Sequence, residues 1–104
     1  TDVQIQTTHV QNADTAGTAI GVASAVQRVY VLGLYYRNGS AGALIPTLVS
    51  NAKTMWGGSS QAAAASSYYY LGGIPVSDAV NLAVTFLGTA SATSDLTVWW
   101  YYGA

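Results

Sequence analysis

The fold of this chain is decided by ten residues, Arg28-Val29-Tyr30-Val31-Leu32-Gly33-Leu34-Tyr35-Tyr36-Arg37. They are rich in β-branched and aromatic residues, which favour the pleated and partly buried surface of a strand. Apolar side chains occupy both faces of the segment, and a strand of that composition is usually covered on both sides. We therefore predict a long strand over residues 28–37, inside a layered β structure.

Two further segments show the period-two alternation of a half-buried strand. Near the N-terminus, Val3-Gln4-Ile5-Gln6 alternates apolar and polar residues. Residues 95–102 divide into two sets on opposite faces, which are Leu96, Val98, Trp100 and Tyr102 on a predicted core face and Thr97, Trp99 and Tyr101 on the other. Both segments are therefore predicted to be strands.

Turn chemistry predicts two hairpins. Asn38-Gly39 follows the long strand, and both residue types tolerate positive φ, so we expect the chain to return as a strand at Ala43-Leu44-Ile45. The small residues at 88–94 are expected to join residues 79–87 to residues 95–102 as a second hairpin.

The number and spacing of these segments indicate the fold class. About six to eight short strands separated by turn residues predict an all-β fold, an antiparallel β-sandwich that is jelly-roll-like. Helix signals are weak, because the chain has no glutamate and a single lysine for i,i+4 ion pairs. No composition break divides the 104 residues, so we predict a single domain over residues 1–104.

Composition excludes several classes of protein. Charged residues are 7% of the chain, against about 25% in a typical soluble domain. Three basic residues cannot form a nucleic-acid-binding patch, and the absence of cysteine excludes disulfides and thiolate metal sites. The longest uncharged stretch, residues 54–77, contains glycines, a proline and serines, so no membrane partner is expected. The first eleven residues show no secretion signal.

Residues for catalysis or cofactor binding are sparse. His9 is the one histidine, and no Gly-x-Ser-x-Gly elbow accompanies it. The four aspartates do not have the spacing of a calcium loop, and Asp78 and Asp95 follow serines at positions where aspartate favours turns. Gly57-Gly58-Ser59-Ser60 lacks the lysine of a phosphate-binding loop. We expect a protein that is not an enzyme and has no cofactor or metal.

Aromatic residues outnumber the positions of one core. Consecutive tyrosines cannot all share one side of a strand. Leaving about five aromatic side chains in water forfeits on the order of ten kcal/mol, since burying each gains roughly 1.5–3 kcal/mol. We therefore predict a homo-oligomer whose interface contains Tyr35, Tyr68, Tyr69, Tyr70, Trp99 and Tyr101.

Aromatic rings also suit a platform for sugar rings, so carbohydrate binding is the alternative function. The candidate stacking residues are Trp56, Trp99 and Trp100, with Thr97, Asn51 and Gln61 as polar neighbours. A third possibility is an oligomeric membrane pore built from hairpins, which dye release from liposomes would detect.

The chain resembles small β-sandwich proteins of virus particles, especially the capsid decoration or cement proteins of tailed bacteriophages. The resemblance lies in the Ala/Gly/Ser/Thr-rich turns, the apolar strand at Arg28–Arg37, and the ending SDLTVWWYYGA at residues 94–104. It implies a non-enzymatic virion structural protein, a homotrimer that clamps the major capsid protein at three-fold positions of the shell. Its location would be the virion, assembled in the host cytoplasm. Phage fibre domains that bind receptors share this composition and are the nearest rival.

Overall fold

Eight strands in two sheets make up the folded chain in the computed structural model, which describes residues 4–12, 15, 17–21, 26–80, 82–88 and 93–104. The strands are β1 (Gln6–Gln11), β2 (Thr18–Ile20), β3 (Arg28–Arg37), β4 (Thr47–Ser50), β5 (Lys53–Gly57), β6 (Ser66–Tyr70), β7 (Val84–Leu87) and β8 (Asp95–Gly103). All their pairings are antiparallel. The predicted all-β, antiparallel sandwich is therefore confirmed.

The strand pairs are nested about the turn between β4 and β5. The first sheet has the order β1-β8-β3-β6, and the second has the order β2-β7-β4-β5. Pairs β1·β8, β2·β7, β3·β6 and β4·β5 are those of one long hairpin. Rolling that hairpin up adds the pairs β3·β8 and β4·β7. This is the connectivity of a jelly roll, an eight-stranded double sheet, so the jelly-roll-like prediction is also confirmed.

The core lies between the inner sides of the two sheets. β3 and β8 bury alternate residues from the first sheet, and β2, β4 and β7 do so from the second. The buried side chains are Ile20, Val29, Val31, Leu34, Tyr36, Leu48, Val84, Phe86, Leu96, Val98 and Trp100. Tyr36 of the first sheet contacts Phe86 of the second with 4.9 Å between ring centroids. These contacts hold the sheets together.

The two strands read most clearly from the sequence form where they were predicted. β3 spans Arg28–Arg37, and β8 contains all of residues 95–102. The predicted core face of β8 is confirmed, with Tyr102 half-buried against the core. A bulge between Val31 and Gly33 shifts the register of β3 against β8 by one residue.

The N-terminal strand begins later than predicted. β1 starts at Gln6, where it pairs with Trp100 of β8, while Gln4 and Ile5 precede it. Val3 lies outside the described residues. The alternation of side chains continues to Gln11 instead, because the pairing with β8 extends in that direction.

The predicted hairpin at Asn38-Gly39 was wrong, as was the returning strand at residues 43–45. Asn38 is fully buried, and its Nδ2 donates hydrogen bonds to backbone carbonyls of Gly42 at 2.9 Å and Gln61 at 3.0 Å. Leu44 makes only a two-residue bridge, with Gln61. This segment leaves the first sheet and enters the second, because Asn38 bonds across the molecule rather than turning a hairpin.

A hairpin that the sequence did not indicate joins β4 to β5. Its two turn residues, Asn51 and Ala52, have φ values of 53° and 60°. Positive φ at both central residues is the type I′ geometry, whose twist matches that of the flanking strands. Alanine rarely takes this conformation, so the dipeptide Asn51-Ala52 does not have the sequence signal of a turn.

The predicted hairpin between residues 79–87 and residues 95–102 was also wrong. β7 begins only at Val84 and lies in the second sheet between β2 and β4. β8 lies in the first sheet between β1 and β3. The two strands are adjacent in sequence but face each other across the core, and each has its hydrogen-bonding partners in its own sheet.

Candidate functional site

Six aromatic side chains lie on the outer side of the first sheet. Successive residues of a strand point to opposite sides, so the neighbours of the buried residues of β3, β6 and β8 face outward. We call this surface the aromatic face, and its members are Tyr30, Tyr35, Tyr68, Tyr70, Trp99 and Tyr101. Tyr68 is 77% exposed and Tyr70 is 91% exposed, while the other four are half-buried.

Strand pairing arranges the outward residues in rows across β1, β8, β3 and β6. The central row is Thr7, Trp99, Gly33 and Tyr70. The row on one side of it is His9, Thr97, Tyr35 and Tyr68. The next row in that direction is Gln11, Asp95, Arg37 and Ser66. Bulky rings alternate with small residues along the central row, whereas in the row of His9 the two rings, Tyr35 and Tyr68, are neighbours.

Ring contacts fix parts of the aromatic face. Tyr35 and Tyr68 have centroids 4.9 Å apart with their planes tilted by 48°. Tyr30 and Tyr101 stack with centroids 5.0 Å apart and nearly parallel planes. The Tyr30 hydroxyl donates a hydrogen bond to the carbonyl of Ala104. These neighbours restrict the rotamers of the rings, which lowers the entropy that a binding partner must overcome.

Charged residues lie at the ends of the aromatic face and not at its centre. At one end, Nε2 of His9 is 2.6 Å from Oδ1 of Asp95, and Arg37 stands opposite Asp95 on the neighbouring strand. At the other end, Arg28 stands opposite Gly103. The central part is uncharged, which is typical of the buried centre of a protein interface.

The pair formed by His9 and Asp95 combines two residues that a nucleophilic site would need. Both are at the surface, with 51% and 32% of their side-chain areas exposed. In the described part of the chain, no serine hydroxyl is hydrogen-bonded to His9. Asp95 is placed to orient His9 as a base, but the described residues supply no nucleophile beside the imidazole, as an acyl-transfer site would require.

The structure brings together five of the six residues predicted for an interface. Tyr69 is the exception, because it lies between Tyr68 and Tyr70 and points inward. Its ring meets Trp56 edge-on with centroids 4.9 Å apart, and its hydroxyl donates to Oε1 of Gln61 at 2.8 Å. Tyr30 was missed because simple alternation places residues 30 and 35 on opposite sides of a strand. The bulge between Val31 and Gly33 brings Tyr30 to the same side as Tyr35.

The three tryptophans proposed to stack on sugars lie in three different environments. Trp100 is 7% exposed, and its Nε1 donates to Thr8 Oγ1 at 2.9 Å, so its ring is closed to a ligand. Trp56 is half-buried against Tyr69. Only Trp99 stands on the aromatic face, between Thr97 and Tyr101 along β8.

The polar residues proposed to accompany those tryptophans are also separated. Gln61 is 3% exposed, and its Nε2 donates to the carbonyl of Tyr36 at 3.1 Å. Asn51 donates to Asp78 at 3.0 Å on the other sheet. Thr97 is the one that lies beside Trp99, in the row of His9.

A polar cluster at the β4–β5 turn has a structural role. Asp78 accepts hydrogen bonds from Asn51 Nδ2 at 3.0 Å and from Lys53 Nζ at 3.2 Å. The bond from Asn51 and then the bond from Lys53 lower the pKa of the Asp78 carboxyl below its ordinary value of 3.8. The cluster ties the hairpin to the segment that follows Pro75. No group of three or more metal-ligating side chains is assembled anywhere in the residues the structure describes.

On the outer side of the second sheet, one row across β2, β7, β4 and β5 consists of Ala19, Thr85, Val49 and Thr54, and we call it the small-residue face. The next row contains Thr47 and Leu87, of which Leu87 is 40% exposed. None of these is aromatic. The abundance of aromatic residues is therefore a property of one outer side of the sandwich.

Comparison with known proteins does not assign a family. No protein-family model matches the chain, and a search of curated proteins finds no significant match. Within the described ranges, no helix is long and apolar enough to cross a membrane. The role of the aromatic face is therefore inferred from its geometry and from the fold.

Proposed function

We propose that this chain is a non-enzymatic structural protein of a virus particle, which oligomerises and stabilises the capsid shell as a decoration or cement protein. The observation that carries the proposal is the aromatic face, with Tyr68 and Tyr70 almost fully exposed in a chain that is only 7% charged. Contiguous apolar surface of this kind marks a protein interaction site. Its partners are further copies of the chain and the major capsid protein.

The free energy of covering the aromatic face supports a permanent interface. Tyrosine and tryptophan bury a large apolar body while keeping a polar group for hydrogen bonding. Full burial of each exposed ring gains roughly 1.5–3 kcal/mol, so Tyr68 and Tyr70 together would contribute a few kcal/mol to association. Few charges must be desolvated in the process, because those near the aromatic face stand at its ends.

The fold is consistent with a virion role. Jelly rolls build many viral capsid and lectin domains, although a fold alone does not select a function. The resemblance to decoration proteins implies three subunits, whereas the side-chain arrangement on the aromatic face favours pairs.

Particle binding tests the proposal directly. Virus particles that contain the chain should retain it through density-gradient purification, in a fixed ratio to the major capsid subunit. Particles that lack it should release their genome at a lower temperature, and adding back the purified protein should restore the original value. The double variant Tyr68→Ser/Tyr70→Ser should restore little, while Thr54→Ser on the small-residue face should act as wild type. Failure of the wild-type protein to bind particles would overturn the proposal.

Carbohydrate binding is kept as a second candidate because of Trp99. This half-buried indole stands on the aromatic face with Thr7 opposite it and Thr97 two residues before it on the same strand. Such a pairing of an aromatic ring with hydroxyl groups suits a sugar ring. Glycan-array binding that disappears in Trp99→Ala, while the oligomer mass is unchanged, would favour this function over the first.

A further inference from the structure

We propose that the aromatic face binds the aromatic face of a second copy of this chain, with a two-fold axis that runs along the strands between β8 and β3. The inference rests on the proposed function to the extent that both require the aromatic face to be covered by protein. It goes further by naming the occupant and its orientation, and it does not require a virus particle.

Such an axis reverses the order of the strands while keeping corresponding strand ends together. Because the order of the first sheet is β1-β8-β3-β6, β8 of one copy comes to lie over β3 of the other. In the same way, β1 comes to lie over β6. Each row of outward side chains therefore meets its own sequence in reverse, as an isologous interface requires.

The central row is complementary in size under this operation. Trp99 lies over Gly33 of the second copy, which is buried and adds no side chain of its own, and Tyr70 lies over Thr7. Each pairing occurs twice because of the symmetry. Large residues facing small ones let the side chains of two stacked sheets interdigitate.

The neighbouring row shows the same relation. Tyr35 lies over Thr97 of the second copy, and Tyr68 lies over His9. Tyr68 is the more exposed ring of the contacting pair Tyr35 and Tyr68, so it is the one that projects furthest towards the partner. A tyrosine over a histidine or a threonine keeps its hydroxyl near polar atoms, which avoids an unsatisfied donor.

The end row is complementary in charge. Arg37 lies over Asp95 of the second copy, and Asp95 lies over Arg37, so the operation creates two attractive contacts. The alternative is a two-fold axis perpendicular to the strands, along the central row. That axis would place Arg37 over Arg28 and Trp99 over Trp99 of the second copy. Like charges would then face each other, which disfavours that arrangement. Facing rings do not separate the two axes, because the proposed axis places Tyr101 over Tyr30 of the second copy.

The area of the first sheet approaches that of a standard interface. Its strands β1, β8, β3 and β6 contain 6, 9, 10 and 5 residues. At about 3.4 Å per residue and about 4.8 Å between strands, each residue covers about 16 Å², so the flat projection is roughly 500 Å². The relief of the aromatic rings raises the accessible area towards the roughly 800 Å² per partner of a standard interface.

A charge-exchange experiment on the purified chain tests both the occupant and the axis. Sedimentation equilibrium should give a dimer for the wild-type protein. Arg37→Asp places two carboxylates face to face in the pair, and Asp95→Arg places two guanidinium groups face to face. Each variant alone should therefore dissociate at least about tenfold more readily. An equimolar mixture of the two should recover a heterodimer of near wild-type affinity, because each charge then meets its opposite.

Arg28→Asp is the matched control, since it makes the same substitution on the same strand and changes the net charge by the same amount. Arg28 lies over Gly103 under the proposed axis, so this variant should dimerise as wild type does. An equimolar mixture of Arg28→Asp and Asp95→Arg should contain no more heterodimer than a mixture of the wild-type chain and Asp95→Arg. Circular dichroism confirms that each variant is folded.

Three results would overturn the pairing. The first is a wild-type monomer at micromolar concentration, and the second is a wild-type trimer. The third is a stronger dimer in Arg37→Asp, which would indicate the alternative axis, the one that runs across the strands. A chain that is monomeric in isolation yet binds particles would refute the pairing and leave the virion proposal intact. A dimer that does not bind particles would do the opposite.

Discussion

The two outer sides of the sandwich differ although the same fold supports them. The aromatic face presents six tyrosine and tryptophan rings on the first sheet, while the small-residue face presents alanine, threonine and valine on the second. Both sheets contribute to one core, and both have four antiparallel strands. Side chains as small as Ala19 and Thr85 are thus sufficient on the outside of a sheet in this fold. By comparison, Tyr68 and Tyr70 on the other outer side are 77% and 91% exposed, which is why we propose that the aromatic face serves in binding.

The largest expected effect comes from breaking the core that both sheets share. Phe86→Ala should lower the free energy of unfolding by about 3–5 kcal/mol, because Phe86 is fully buried and contacts Tyr36 of the opposite sheet. Chemical denaturation followed by tryptophan fluorescence measures this. The neighbouring outward residue provides the control, since Leu87→Ala should cost about 0.5 kcal/mol or less. Equal losses in the two variants would contradict the assignment of inner and outer sides.

The connection between the two sheets should be the next most sensitive position. Asn38→Asp replaces the Nδ2 donor, which bonds the carbonyls of Gly42 and Gln61, with an oxygen that those carbonyls repel. The expected loss is roughly 2–3 kcal/mol at neutral pH. It should shrink in acid, where the introduced carboxyl is protonated and can donate again. The same isosteric change at an exposed position, Gln27→Glu, should be nearly neutral at both pH values.

A third prediction tests the contrast between the outer sides by measuring both the free energy of unfolding and the self-association of the same variants. Tyr70→Ser should leave the free energy of unfolding of the dissociated chain within about 0.5 kcal/mol of wild type, since Tyr70 is 91% exposed. It should weaken self-association at least about tenfold, because Tyr70 lies in the central row of the proposed interface. Thr54→Ser should change neither quantity. If Tyr70→Ser destabilised the chain without affecting association, the aromatic face would be structural.

The smallest effect concerns acid stability near the β4–β5 hairpin. Because hydrogen bonds from Asn51 and Lys53 lower the pKa of Asp78 below 3.8, its contribution to stability is present above that value. It is lost as the pH falls through the lowered pKa of the folded state. Asp78→Asn should remove this dependence, so its stability should fall less steeply than that of wild type below about pH 4. Asn51→Ala should flatten the same part of the curve, and an unchanged curve in both would contradict the role of this cluster.

Local sequence was enough to predict the two longest strands, β3 and β8, but not the short strands β2, β4 and β5 or the pairing of the strands. The β-branched and aromatic run at Arg28–Arg37 carries its own signal, and β3 forms there. The hairpin prediction at Asn38 was wrong because the side chain of Asn38 is hydrogen-bonded to Gln61, which lies close to it only in the folded chain. A hairpin signal at residues 38–39 is local, whereas the bonds that override it are not.

The sequence predicted that aromatic side chains lie together on an outer surface, but it did not predict all of the residues in the aromatic face. Alternation implies that Tyr69 points to the opposite side from Tyr68 and Tyr70. Whether Tyr69 or the other two point inward depends on the register of β6 against β3, where Tyr69 pairs with Leu34 of the core. The sequence alone does not specify that register, because it depends on how β6 pairs with β3 in the folded chain.

The nested strand pairs have a consequence for how the chain folds. Among the described strands, β4 and β5 are the only consecutive pair joined by hydrogen bonds, so the Asn51–Ala52 turn is the one place where a hairpin can form early. Every other pairing closes a longer loop, which places the protein among high-contact-order domains that fold in milliseconds to seconds. During that interval β6 and β8 are unpaired, with their rings in water and few charges to keep chains apart. Nascent chains would therefore be most prone to aggregate before the roll closes.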